Sequence, residues 1–241
     1  RVGVRNAPTL TNVAYNPYYN YDGGNKTLEM QVLVPIQEHV EFDFNIIEIA
    51  KRLANNADYQ NMSNKAYGRD LDYYVITRAL ANFERTLISG NSKYDKHLKK
   101  EAILTEAEQN GYDLFMSNIT NCNQCHSGFN FTSYAFENNG LGDVYEDIGR
   151  ERVTKNTSDN AKFKVPTLRN IAYTAPYMHN GSITNLLDVV KHYNSGGKNH
   201  ANKSNLIKPL NLTLKQMEDL VAFLQSLTDD EFINNPIFKN N

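Results

Sequence analysis

The sequence predicts an all-α protein made of two related units, with the first unit incomplete in this chain. Three observations lead to that prediction. Apolar residues recur at helical spacing behind typical helix-capping residues, strand patterns are sparse, and residues 7–31 resemble residues 165–189. Long loops rich in asparagine and glycine separate the predicted helices.

The first helices are expected in the N-terminal half. One helix face is formed by five apolar positions, Ile46, Ile47, Ile49, Ala50 and Leu53. A longer helix is predicted over residues 71–88, ended by Ser89-Gly90-Asn91. The polar residues 93–103 are expected to connect the two units.

Capping boxes mark two helices in the C-terminal half. A box begun by Thr105 opens a helix that runs to Met116, and a box begun by Thr213 opens one that runs to Leu227. A third helix is indicated by an apolar stripe, Leu186, Leu187, Val189, Val190 and Tyr193.

Composition and charge argue against two classes of partner, nucleic acids and membranes. The chain has 241 residues, a net charge of -2 and a pI of about 6.3, which gives no electrostatic reason to bind nucleic acid or a membrane surface. It contains no run of 18 apolar residues, so we predict no transmembrane helix.

The most informative stretch is Cys122-Asn123-Gln124-Cys125-His126, which holds the only two cysteines of the chain. Its sulfurs lie one helical turn apart, so they can bond the two vinyl groups on one edge of a haem, while the histidine lies under the iron. We therefore predict haem c on Cys122 and Cys125 with His126 as proximal ligand. Because haem c is attached outside the bacterial cytoplasm, the expected location is the periplasm.

Other uses of two cysteines fit less well. A disulfide would gain little from closing so short a loop. A zinc site needs two further Cys or His ligands at matching spacing, and a thioredoxin-type motif needs a βαβ context that the sequence lacks.

The repeat indicates a second haem. Its two copies align without a gap at an offset of 158 residues, and the identical pairs are Pro8/Pro166, Thr9/Thr167, Leu10/Leu168, Asn12/Asn170, Ala14/Ala172, Tyr15/Tyr173, Tyr19/Tyr177, Gly23/Gly181 and Leu28/Leu186. A motif 158 residues before Cys122 would lie upstream of Arg1. The first residues resemble neither a signal peptide nor a natural start, so we expect a fragment of a two-haem protein.

Three stretches resemble the bacterial di-haem cytochrome c peroxidases and their MauG-type relatives. They are Phe163-Lys164-Val165-Pro166-Thr167-Leu168-Arg169-Asn170, Thr174-Ala175-Pro176-Tyr177-Met178-His179-Asn180-Gly181-Ser182 and Arg5-Asn6-Ala7-Pro8-Thr9. The resemblance implies two cytochrome c-like domains, with residues 1–92 the remainder of the N-terminal, peroxidatic one. Residues 93–241 would be the C-terminal haem c domain with a tail, which relays electrons from a small periplasmic donor protein to hydrogen peroxide. A homodimer is compatible with this family.

The resemblance also assigns site residues. Glu41 matches the family's active-site acid beside the peroxidatic haem, and Gln31, ten residues earlier, matches a glutamine of that pocket. Asn6, Thr174 and Pro176 match a calcium site between the domains, where an amide oxygen and backbone carbonyls suit a hard cation.

The distal ligand of the C-terminal haem is expected at Tyr193. The family's peroxidases place a methionine fourteen residues after the histidine that corresponds to His179, whereas MauG-type enzymes place a tyrosine there. Four side chains compete for this role, namely Met178, Met217, His179 and His192. Packing of Tyr193 on its apolar stripe is the structural alternative.

Tyr21 occupies the place of the family's inter-haem tryptophan. We expect it to act as an electron relay, although oxidation of tyrosine requires loss of its phenolic proton.

Three functions remain open at this point. The first is peroxide reduction, the second is MauG-like oxidation of a protein or organic substrate through high-valent haem, and the third is electron transfer without catalysis.

Overall fold

The structure is a computed structural model that describes residues 3–238, and it is rich in helix. The α-helices are α1 (Leu28–Gln31), α2 (Leu33–Gln37), α3 (Ile46–Ala54), α4 (Ala57–Tyr67), α5 (Tyr73–Arg85), α6 (Lys93–Leu98), α7 (Glu106–Met116), α8 (Cys122–Cys125), α9 (Glu151–Thr154), α10 (Leu186–Ser195), α11 (Leu214–Gln225) and α12 (Asp230–Ile233). Short 3₁₀ turns lie at Val13–Tyr15, Thr157–Asp159, Ile171–Tyr173 and Pro236–Phe238. Strands β1 (Phe136–Glu137) and β2 (Phe163–Lys164) pair antiparallel. None of the described helices is long and apolar enough to cross a membrane.

The predicted caps are confirmed. The hydroxyls of Thr105 and Thr213 accept hydrogen bonds from the third helical residue in complete capping boxes, at the starts of α7 and α11. Two expectations are corrected. The helix expected over 71–88 is shorter at both ends, since Asp72 caps its N-terminus and it ends at Arg85, before the expected stop at Ser89-Gly90-Asn91. The expected connection contains α6, which Ser92 opens with a third capping box.

Two apolar cores hold the fold together. The first is built from Val13, Tyr19, Leu28, Val32, Ile36, Ile46, Ala50, Ile76 and Ala81. The second lies mainly between α7 and α11 and is built from Phe115, Phe131, Tyr177, Leu186, Val190, Leu212, Met217, Leu220, Phe223, Leu224 and Leu227. At the crossing of these two helices Gly111 lies directly against the backbone of Asp219, so only glycine allows this approach.

The sequence repeat is also a repeat of backbone conformation. Asn12 and Asn170 both adopt left-handed dihedrals, with φ of 55° and 58°, and each begins a 3₁₀ turn. The bridge between Tyr19 and Asn25 recurs between Tyr177 and Ile183, at the same offset. The local structure of the two segments therefore agrees with duplication.

A buried ion pair fixes the loops around the second core. Arg169 donates two hydrogen bonds to Asp95, at 2.7 and 2.9 Å, and a third to the carbonyl of Phe129 at 2.7 Å. These bonds join α6, the loop after the CxxCH motif and the segment after β2. The side chain of Arg169 is almost fully buried, so loss of its carboxylate partner would leave an uncompensated charge.

Candidate haem site

An open cavity, lined mainly by apolar side chains, is bordered by both cysteines and the histidine of the CxxCH motif. Asn121 precedes α8 in a left-handed conformation, and α8 places Cys122 and Cys125 one turn apart on the cavity wall. Both cysteines are unpaired thiols, and burial raises the pKa of Cys125 to about 11. Burial also raises the pKa of Cys122, so both thiols are protonated at neutral pH.

His126 is prepared for the role of a ligand. Its Nδ1 lies 3.0 Å from the carbonyl oxygen of Phe131, and a contact of this kind fixes the ring orientation of a metal-binding histidine. Burial lowers the pKa of the imidazole, so the neutral form that binds metals is favoured. Within residues 3–238 no cluster of three or more His, Cys, Asp or Glu side chains could hold a metal ion on its own.

Helix α10 contributes Tyr193 to the same cavity. Leu186 and Val190 of its apolar stripe also line the cavity, so this face of the helix both packs in the core and borders the site. The Tyr193 hydroxyl accepts a hydrogen bond of 3.4 Å from Nδ2 of Asn139, and burial raises the pKa of the phenol.

The competing distal ligands divide into two groups. Met178 and His179 line the cavity. Met217 instead packs in the second core, and His192 directs Nε2 to the carbonyl of Asn139 at 3.0 Å; neither is among the described residues that line the cavity. The structure thus narrows the four competitors to two.

Tyr21 and Lys164 form another part of the wall. The Lys164 N–H donates a 2.7 Å hydrogen bond to the carbonyl of Tyr21, which ties the first repeat to β2. Burial raises the pKa of Tyr21 to about 12 and lowers that of Lys164 to about 8. The high pKa of Tyr21 makes loss of its phenolic proton costly. Because oxidation of tyrosine requires that loss, the burial of Tyr21 disfavours its expected role as an electron relay.

The residues expected to bind calcium are brought together in part. Nδ2 of Asn6 lies 2.5 Å from the carbonyl oxygen of Pro176, and the Asn6 N–H donates to the carbonyl of His179 at 2.7 Å. Thr174 lines the same cavity as Asn6 and Pro176.

The residues expected in the peroxidatic pocket lie elsewhere. Glu41 is exposed in the turn after α2, where its N–H donates to the carbonyl of Glu38 at 3.0 Å. Gln31 is the last residue of α1 and is half-buried. The cavity of the CxxCH motif contains neither side chain.

Comparisons with known proteins identify the family. A family model described as di-haem cytochrome c peroxidase matches residues 1–103, and one described as cytochrome c matches residues 108–228. The methylamine utilization protein MauG of Methylophilus methylotrophus is 34% identical over 93% of this chain and 68% of its own length. The chain belongs to the di-haem cytochrome c peroxidase and MauG family.

The chain spans different fractions of the length of other family members. Cytochrome c peroxidase Ccp of Escherichia coli is 35% identical over 94% of this chain, which spans only 48% of that protein. The crystal structure of a MauG-like protein associated with microbial copper homeostasis is 32% identical, with a TM-score of 0.92 over 98% of this chain and 79% of its own. The resemblance noted in the sequence is confirmed, and the chain is a peroxidase-like member of the family.

The cofactor implied by this family is haem c, and the residues present fit it. The cavity combines two unpaired thiols one turn apart, a neutral imidazole with its Nδ1 bonded to a carbonyl, and apolar walls. Sequence reasoning missed Asn139, which contacts Tyr193, because nothing in the pattern around Asn139 distinguishes it from the many other loop asparagines.

Proposed function

We propose that this chain is part of a periplasmic di-haem peroxidase that reduces hydrogen peroxide with electrons relayed through a haem c on Cys122 and Cys125. The observation that carries the proposal is the cavity that holds both thiols and His126 within a chain of this family. Electrons would come from a small periplasmic donor protein.

Different residues of the chain would attach the haem, ligate its iron and transfer electrons. Cys122 and Cys125 would bind the porphyrin through thioether bonds, and His126 would hold the iron from Nε2. The bound haem would supply a one-electron redox centre. Tyr193 would be its distal ligand, and Tyr21 would lie on the path of electrons between the two units.

Proton transfer would fall to Glu41 in the other haem's pocket. Reduction of hydrogen peroxide to two waters consumes two electrons and two protons, and it requires a proton to move from one oxygen to the other. A carboxylate can accept that proton on one oxygen and release it again. Gln31 would line the same pocket and orient the peroxide by hydrogen bonding.

The proposed organisation has two cytochrome c-like domains, residues 1–92 and 93–241, with calcium between them. The two apolar cores and the contact between Asn6 and Pro176 support this arrangement. If the Asn6 amide is turned so that its oxygen faces the Pro176 carbonyl, two oxygen ligands stand side by side for a hard cation.

A second candidate is oxidation of a protein or organic substrate, as in MauG. Tyr193 favours it, because a phenolate donor stabilises oxidised iron, whereas a thioether stabilises reduced iron. The presence of Tyr193 on the cavity wall and the 34% identity to MauG are the observations behind this candidate.

The deciding experiment uses the intact protein matured in a bacterial periplasm. We expect one haem adduct on peptides with Cys122 and Cys125, peroxide-dependent oxidation of a reduced cytochrome c donor, and loss of the adduct in a Cys122→Ala, Cys125→Ala variant. Unmodified thiols would exclude the haem assignment. Two haems that never bind an exogenous ligand, with no peroxide turnover, would indicate a carrier instead.

A further inference from the structure

The side-chain amide of Asn139 lies between two candidate distal donors. Its Nδ2 is 3.4 Å from the hydroxyl of Tyr193 and 3.3 Å from Sδ of Met178, and both of these side chains line the haem cavity. An amide NH₂ carries two hydrogens, so it can donate to both acceptors at once.

We propose that Asn139 is a positioning residue that holds the Tyr193 hydroxyl in place as the distal donor and keeps the Met178 sulfur engaged away from the iron. This inference rests on the proposed ligation by Tyr193, and it adds the group that selects between the two donors.

Asn139 is itself held in one orientation. Its Oδ1 accepts a hydrogen bond from the N–H of Leu141 at 3.3 Å, which fixes which edge of the amide faces the cavity. Its backbone carbonyl lies 3.0 Å from Nε2 of His192, the residue before Tyr193 on α10. The loop after β1 and the helix that carries the phenol are therefore tied together at this point.

The two donors differ in chemistry, so the choice between them matters. A phenolate oxygen is hard and anionic, whereas a thioether is soft and neutral. Methionine has three rotatable side-chain bonds and can sweep a wide volume, so an unengaged Met178 is a real competitor. A hydrogen bond from an amide to an anionic oxygen is charge-assisted and shorter than a neutral one, which stabilises the oxygen in its donor position.

The test compares Asn139→Asp and Asn139→Leu in the haem-loaded intact protein. Aspartate has nearly the same shape and keeps the oxygen that accepts from Leu141, but it has no hydrogen to donate and places a negative charge against the phenol oxygen. Leucine removes the donor without adding charge. In both variants we expect the ferric absorption spectrum to move toward that of Tyr193→Phe and the affinity for imidazole to rise about tenfold or more, with the larger effect in Asn139→Asp.

Met178→Leu is the matched control, because it removes one acceptor of the amide and leaves the other. Its ferric spectrum should keep the features of tyrosine ligation. A loss of the distal-ligand signature in Met178→Leu would make the thioether the ligand and overturn the inference.

The outcomes separate the two proposals. If Tyr193→Phe changes the spectrum while both Asn139 variants match the wild type in spectrum and imidazole affinity, ligation stands and the role of Asn139 is refuted. If Tyr193→Phe itself changes nothing, ligation by Tyr193 fails. Should Asn139→Leu not fold, Asn139→Asp decides, because it preserves the turn at Leu141.

Discussion

Gly111 offers a direct test of how the haem domain is held together. A Cβ at this position would lie 1.9 Å from the carbonyl oxygen of Asp219 and 2.9 Å from Cβ of Phe223, both on α11. A Cβ atom essentially never lies within 3.0 Å of a non-bonded heavy atom, and the clashing atom is backbone, so α7 and α11 must separate by about 1 Å or more. Gly111→Ala therefore disturbs the close contact at the centre of the second core.

The magnitude follows from two opposing contributions. Forcing a methyl group into a packed core costs typically about 1–3 kcal/mol, and a backbone clash belongs at the upper end. Alanine regains about 1 kcal/mol of helix propensity over glycine. The net loss is about 2 kcal/mol, which corresponds to a fall of about 4–8 °C in Tm for a chain of this size.

The assay is thermal unfolding of the haem-loaded protein, followed by far-ultraviolet circular dichroism and by haem absorbance. Asn110→Ala is the matched control, since Asn110 is the exposed neighbour on α7 and its replacement gains propensity without a clash. That control should unfold at or slightly above the wild-type temperature. A Gly111→Ala protein as stable as wild type would refute the crossing geometry of α7 and α11.

Three further predictions concern the site. Tyr193→Phe should open the ferric C-terminal haem to imidazole, because phenyl fills the volume without offering a donor; an unchanged spectrum would reduce Tyr193 to a packing residue. Glu41→Gln should lower peroxide turnover about 10²–10⁴-fold while leaving the C-terminal haem spectrum intact, and Glu38→Gln, a neighbouring exposed acid, should retain activity. Wild-type turnover in Glu41→Gln would remove that carboxylate from the mechanism. Calcium at 100 times its Kd should stabilise the protein by about 2.7 kcal/mol in thermal unfolding, and Asn6→Ala should abolish this gain; identical melting curves with calcium and with chelator would exclude the site.

Local chemistry made much of the fold predictable. Capping boxes at Thr105 and Thr213 predicted the starts of α7 and α11. In each box the threonine hydroxyl accepts a hydrogen bond from the backbone N–H three residues later, and the side chain of that residue accepts one from the threonine N–H. The repeat predicted a duplication, and the left-handed conformation shared by Asn12 and Asn170, which asparagine tolerates, agrees with it. The CxxCH spacing predicted that the two sulfurs lie one helical turn apart, and helix α8 places them so.

Contacts between distant segments could not be predicted in the same way. Asn139, Met178 and Tyr193 come from a loop, a left-handed turn and a helix, and no periodicity relates their positions. The helix α4 escaped notice because its sequence is polar around most of its circumference, so it lacks the apolar stripe on which helix prediction depends.

The asparagine-rich composition has a structural consequence for the site. Among residues 3–238, five of the non-glycine residues with positive φ are asparagines: Asn12, Asn20, Asn121, Asn170 and Asn211. Asparagine reaches the left-handed region at low cost because its short amide bonds locally, and unlike glycine it restricts the unfolded chain and retains a side chain. Asn121 adopts the left-handed conformation at the start of α8, and this turn of the backbone places Cys122 and Cys125 on the cavity wall. Asn170 uses its side chain as well, since Oδ1 accepts from the N–H of Asp229 at 2.8 Å. Ile171, the next residue, lines the cavity, so this amide contact anchors a segment that forms part of the cavity wall.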